Sequence, residues 1–159
     1  MGFVIHAVSV SRGIVALCPF PGRGGNFEAD MDHIRDWRPS IVMTLTTDAE
    51  MARLGQPALG QSFIAMGARW IHLPIEDYAA PVGDTLTAWP DACRAALSAL
   101  RGGGRVLVHC KGGCGRSGMI VLRLMVAAGE APLVALERLR GIHPEAIETS
   151  GQLNWATAK

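Results

Sequence analysis

One ten-residue stretch restricts this chain more than any other: His109-Cys110-Lys111-Gly112-Gly113-Cys114-Gly115-Arg116-Ser117-Gly118. It follows a short apolar run, Val106 to Val108, and precedes a long one, Met119 to Ala128, the pattern of a tight loop between a buried strand and a buried helix. Glycines at 112, 113 and 115 remove the Cβ atoms that would stop successive amides from turning inward. The first free N–H groups of the following helix add partial positive charge, so the loop is expected to hold an anion. It differs from a plain phosphate-binding loop in its ends, a thiol (Cys110) and a guanidinium (Arg116) separated by five residues.

A loop that closes on itself brings its two end side chains to one small ligand. Cys110 is expected at the floor of the cradle and Arg116 at its rim, offering a planar two-pronged grip on two phosphoryl oxygens. Lys111, Gly112, Gly113, Cys114 and Gly115 would supply the ring of amides. Those amides, the helix terminus and Arg116 favour the thiolate of Cys110, and Ser117 can donate a hydrogen bond to its sulfur. His109 is expected to steady the loop by hydrogen bonds and not to act as a base. Cys114 reads as a space-filler in preference to a disulfide partner for Cys110. A zinc site built from His109, Cys110 and Cys114 lacks a fourth ligand, and neither metal nor cofactor is expected.

HCKGGCGRSG resembles the HC-x5-R-[ST] signature of the cysteine-dependent protein tyrosine and dual-specificity phosphatases. The resemblance implies a phosphoric monoester hydrolase working through a phosphocysteine intermediate. At 159 residues the chain suits one domain spanning 1–159 and is similar in size to the compact dual-specificity group, not to the larger receptor-like domains. The segment Cys18-Pro19-Phe20-Pro21-Gly22 is similar to one in the kinase-associated branch. Lys111 resembles a lysine of some lipid-phosphate phosphatases, but the second lysine of that pattern is replaced by Cys114.

Leaving-group expulsion near neutral pH needs a proton donor from another loop. Asp77 is the expected acid: it follows the apolar run Trp70 to Ile75, and its surroundings resemble the acid loop of the dual-specificity phosphatases. Glu76 and Asp84 are rivals, and Trp89-Pro90-Asp91 is a tempting one because the larger tyrosine phosphatases carry their acid in such a triplet. Here Leu86, Trp89, Cys93, Leu97 and Leu100 recur at helical spacing, which makes Trp89 a core anchor and sets Pro90 near a first helical turn. Gln152 lies where the kinase-associated branch has a glutamine that orients water, although an exposed helix-cap residue is the preferred reading.

The remaining chain predicts strands at 3–10, 14–18, 41–45 and 70–75, with a turn at Ser11-Arg12-Gly13. Residues 18–25, rich in Pro and Gly, read as a surface loop, with Arg23 contacting phosphate as the less favoured alternative. Helices are expected from an Asn26 cap to Trp37, over 48–54, 57–66, 116–128 and 132–140, and after a Thr149 or Ser150 cap. Strands alternating with helices predict an α/β three-layer sandwich with a mostly parallel sheet of about five strands, its ligand at the carboxyl ends of the strands.

A net charge of +1 and pI near 7.8 predict no basic stripe, so nucleic acid is not an expected partner. No run of eighteen apolar residues suggests a membrane span, the apolar N-terminus lacks a basic leader, and His6 replaces the Ser or Thr of a myristoylation motif. Four irregularly spaced cysteines suit a reducing cytoplasm. The expected substrate is a phosphorylated protein or a small phosphate ester. A sulfurtransferase and a catalytically silent phosphoanion-binding module are the competing readings.

Overall fold

Ser11 and Arg12 turn the chain between its first two strands, β1 (His6–Val10) and β2 (Gly13–Cys18), with Ser11 in the left-handed region at φ 57°. In this computed structural model, which describes residues 2–158, they form an antiparallel hairpin, Val8 opposite Val15. Met1 and Lys159, the ends of the expected 1–159 domain, lie outside the described residues. β2 pairs in parallel with β5 (Arg105–His109), β5 with β3 (Ile41–Thr44) and β3 with β4 (Arg69–His72), giving one five-stranded sheet in the order β1-β2-β5-β3-β4.

Side-chain alternation along these strands divides the core in two. Ala16, Cys18, Val42 and Leu107 face α1 (Phe27–Trp37), α2 (Asp48–Arg53) and α3 (Leu59–Ala65) through Met31, Ile34, Met51 and Phe63. Val15, Leu17, Met43 and Val108 face the other way. There they meet α4 (Gly83–Arg101), α5 (Gly115–Ala127), α6 (Pro132–Ile142) and α7 (Ser150–Thr157). The result is the expected three-layer α/β sandwich with β5 and α5 at its centre.

The first turns follow local chemistry. Asn26 accepts the Ala29 N–H, and Thr47 forms a reciprocal capping box with Glu50. Pro132 stands at the start of α6, and Gly129, at φ +110°, follows α5.

Three expectations need correction. The strand expected over 70–75 ends as β4 at His72, where the regular parallel register with β3 breaks; Pro74 costs no bond to β3, because its N–H position points away from it on this edge strand. The segment nevertheless stays alongside β3 through Leu73 N–H to Thr44 O and Ile75 N–H to Leu45 O. The strand expected from residue 3 begins at His6. Pro90 is not in a first turn: α4 starts at Gly83, anchored by the buried Thr85, whose hydroxyl donates to Pro74 O at 2.6 Å. The carbonyl that Pro90 leaves without its helical donor belongs to Leu86, a residue that is 46% exposed and not in the core.

Candidate active site

The loop sits where β5 ends and α5 begins. β5 delivers His109 and Cys110 at its carboxyl end, and α5 starts at Gly115 with no side-chain cap, leaving its first amides to seek an anion. Gly113 adopts φ +75°, and a Cβ there would stand 2.6 Å from the Pro19 nitrogen, so only glycine fits this turn. Its N–H donates to the Cys110 sulfur at 3.3 Å. Cys110 is 2% exposed, and the Ser117 hydroxyl, fully buried, has no partner among the described residues.

Arg116 is buried to 1% exposure and held by a residue the sequence reading passed over. Glu50 takes it through two parallel bonds, Nη1 to Oε1 at 2.7 Å and Nη2 to Oε2 at 2.9 Å, while Nη1 also donates to Ile75 O at 2.9 Å. Both protons of Nη1 and one of Nη2 are thereby committed. Nε, which has no partner among the described residues, and the second proton of Nη2 form a remaining fork. Burial pushes the Glu50 carboxyl up, but the Arg116 and Thr47 hydrogen bonds and the Arg116 charge outweigh it and hold it below its ordinary range. The sequence does carry a signal for Glu50, the capping-box spacing Thr47-Asp48-Ala49-Glu50. That spacing announces the helix start and says nothing of the guanidinium 66 residues on.

Asp77 reaches the same place from the other side. Its Oδ1 lies 3.5 Å from Arg116 Nη2 and accepts the Tyr78 N–H at 3.0 Å. Asp77 and Cys110 line one cleft of about 360 Å3, with Lys111, Gly112, Cys114 and Gly115 as its floor. Glu76 and Asp84 do not line it, and Asp91 is on the surface paired with Arg94. Arg23 does line it, and its Nη1 donates to Lys111 O at 3.3 Å, so the Pro/Gly-rich loop is part of the cleft wall and not merely a surface connection. The opposite wall carries Glu145 and Glu148, which the sequence reading did not single out.

His109 lies on the far side of the loop. Its Nδ1 faces the Cys110 carbonyl at 3.3 Å, which can only accept, so the proton belongs on Nδ1 and Nε2 accepts from the Thr44 hydroxyl at 2.7 Å. Trp70 Nε1 donates to that same hydroxyl at 2.8 Å, completing a one-way relay from Trp70 to Thr44 to His109 to the loop. Burial, helped by the His72 and Arg116 charges, lowers the His109 pKa to about 4, so the ring is neutral between Thr44 and the Cys110 carbonyl. Burial first, then the Cys110, Glu145 and Glu148 charges, raise the Cys114 thiol to about 11, which fits the space-filling reading.

Gln152 is fully buried, against the preferred expectation of an exposed cap. Its Oε1 accepts the Glu148 and Thr149 N–H groups, while Nε2 donates to Ala79 O at 3.3 Å. The Thr149 hydroxyl donates to Tyr78 O, so the N-terminus of α7 grips the two residues after Asp77. Gln152 itself does not line the cleft.

A thiol and a fixed guanidinium at one cradle, on a sheet of this order, define the class of cysteine-based phosphatases. Comparison with known proteins agrees. Residues 20–130 match the family model described as "Tc-R-P: Polymorphic toxin system, DSP-PTPase phosphatase", and the chain belongs to that family of dual-specificity-type protein phosphatases. It is similar to cyclin-dependent kinase inhibitor 3 of Mus musculus, 27% identical over 147 residues that make up 90% of this chain and 68% of that protein. The Rattus norvegicus protein of the same name is 26% identical over 148 residues, with the same coverage. Among solved structures, a kinase associated phosphatase with serine in place of its catalytic-site cysteine superposes with a TM-score of 0.85 at 23% identity, covering 98% of this chain and 93% of that one. At that identity it speaks for the fold. Tk-PTP in its active form is 28% identical, with a TM-score of 0.70 over 88% of this chain and 86% of its own. Among the described residues no helix is long and apolar enough to cross a membrane.

Proposed function

We propose that this chain hydrolyses phosphate monoesters in two steps through a phosphocysteine on Cys110, as one domain spanning 1–159 that uses neither metal nor cofactor. The dianion enters the cleft and is gripped by the free Nε and Nη2 protons of Arg116 and by the amides of Lys111 to Arg116. Cys110 Sγ attacks phosphorus in line with the ester oxygen, and Asp77, protonated, gives its proton to that oxygen as the P–O bond breaks. Asp77, now a carboxylate, takes a proton from the water that displaces Cys110, and the Ser117 hydroxyl hydrogen-bonds the departing thiolate. Phosphoproteins and small phosphate esters both fit as substrate classes, and four free cysteines suit a reducing compartment such as the cytoplasm.

The observation that carries this reading is the state of Arg116. Glu50 and Ile75 O occupy one edge of the guanidinium and leave Nε without a partner among the described residues and Nη2 facing Asp77 Oδ1 at 3.5 Å. The test is turnover of 4-nitrophenyl phosphate in EDTA. Cys110→Ser should lower kcat by roughly three orders of magnitude or more with the fold intact, and Asp77→Asn by about a hundredfold. Vanadate should inhibit competitively. Full activity in Cys110→Ser would end the proposal, and a larger loss in Asp91→Asn than in Asp77→Asn would move the acid elsewhere.

A further inference from the structure

Next to the cleft lies a second and larger hollow of about 900 Å3. The two are continuous: Arg23, Gly112, Cys114 and Glu145 line both. Phe3, Val4, Pro19 and Pro144 give it apolar lining, beside the stacked rings of His6 and His143, 4.2 Å apart. The charged side chains of its lining are Arg23, Asp30 and Glu145. Val4, in that lining, is 46% exposed, an apolar side chain left uncovered in a groove continuous with the cleft that holds Cys110.

We propose that this groove is a substrate subsite, and that its occupant is a bulky apolar side chain of a phosphopeptide, one or two residues from the phosphorylated one. The inference rests on the phosphatase reading above. A substrate held by its phosphate at Cys110 has to leave the cleft over its margin, and the shared stretch at Arg23 and Glu145 leads directly into the larger hollow. The sizes suit separate tenants: about 360 Å3 takes one phosphorylated side chain, and about 900 Å3 has room for a bulky neighbouring side chain together with the stretch of peptide that carries it. The chemistry favours a peptide over an acyl chain. Apolar walls accept the side chain, while a guanidinium, two carboxylates and two imidazoles stand where a peptide backbone presents C=O and N–H groups. A hydrocarbon tail would offer those groups no hydrogen bonds.

The test compares 4-nitrophenyl phosphate, which reaches the cleft alone, with phosphotyrosyl hexapeptides that are otherwise Gly and Ser and carry one Leu at positions −2 to +2. At one position Leu should raise kcat/KM about tenfold or more over Ser, the effect of burying one such side chain. Val4→Asp and Ala29→Trp alter exposed groove residues outside the catalytic machinery, the second filling the groove. Either should abolish the Leu preference and leave 4-nitrophenyl phosphate turnover within about twofold of the parent. Normal turnover of 4-nitrophenyl phosphate with no Leu preference, or with a preference that survives both variants, overturns the subsite and leaves the phosphatase reading standing. Loss of 4-nitrophenyl phosphate turnover in the parent protein instead removes the phosphatase reading. Phosphatidylinositol monophosphate in mixed micelles serves as the last arm: if it is turned over better than every peptide, and both variants reduce that turnover, the occupant is an acyl chain and the peptide assignment is wrong.

Discussion

Arg116 combines deep burial with a full positive charge, and the protein can hold it there only because Glu50 is buried against it. The bond lengths of 2.7 and 2.9 Å and the parallel geometry mark a pair in which each partner satisfies the other's desolvation. Removing one partner leaves an isolated buried charge, which is far more harmful than losing a surface ion pair. Glu50→Ala is therefore expected to lower folding stability by about 3–5 kcal/mol in urea denaturation. Glu50→Gln keeps the shape and one acceptor but loses the charge, and should lower kcat/KM for an aryl phosphate about tenfold by letting the guanidinium turn. A stability change under about 1 kcal/mol for Glu50→Ala would mean that Ile75 O and solvent suffice to hold Arg116.

At the scale of elements, α7 is more than a terminal helix packed on α5. Its capping residues reach across to the loop that carries Asp77, the proposed acid: Thr149 to Tyr78 O and Gln152 to Ala79 O. Tyr78 sits at φ 64°, which is uncommon for an aromatic residue, so the loop is held in a turn that these two bonds help to fix. Gln152→Glu keeps the capping-box acceptor but replaces the donor to Ala79 O with an oxygen. A loosened acid should matter most when the leaving group is poor. We expect kcat for phenyl phosphate to fall about tenfold, while 2,4-dinitrophenyl phosphate stays within about twofold. Equal losses on both substrates would point to a general structural defect and not to positioning of Asp77.

These elements also show what a sequence can tell. The loop from Cys110 to Arg116 is legible because its chemistry is contiguous: thiol, glycines and guanidinium sit in one short run beside apolar strand and helix patterns. The position of Asp77 at the cleft is legible because the apolar run that includes β4 continues alongside β3 as far as Ile75, two residues before it. Glu50, Glu145 and Glu148 are not, since they meet the site only through folding, and a carboxylate in a helix cap looks the same whether or not an arginine lies beneath it. Gln152 is misread as exposed for a related reason: its Oε1 is satisfied locally by Glu148 and Thr149, but the partner that satisfies its Nε2, Ala79 O, lies 73 residues away on another loop. Summed charge conceals placement too. A net +1 predicts no basic stripe, yet the exposed Arg12, Arg38, Arg69, Arg101 and Arg105 gather where β2, β5, β3 and β4 begin, at the edge opposite the cleft.

For the molecule as a whole, the relay beneath the loop couples folding to pH. The neutral His109 ring is locked between Thr44 and the Cys110 carbonyl, and protonating it would put a second donor against the acceptor position that Thr44 fills. Its pKa is near 4 folded and 6.5 in the ordinary state. The unfolded chain therefore takes up the proton first as the solution is acidified, and folding loses stability from pH 6.5 downward until the folded ring also titrates. Between pH 7 and pH 5 this one group should cost about 2 kcal/mol. Glu50 acts lower on the scale: its carboxyl is held below its ordinary value, so its contribution is present above that value and is lost only on further acidification. Urea denaturation at pH 7, 6 and 5 should thus show a decline that His109→Asn largely removes, whatever that variant does to stability at pH 7. An unchanged pH slope in His109→Asn would show that the proton is taken up elsewhere, and that the Trp70–Thr44–His109 chain does not set the acid limit of the fold.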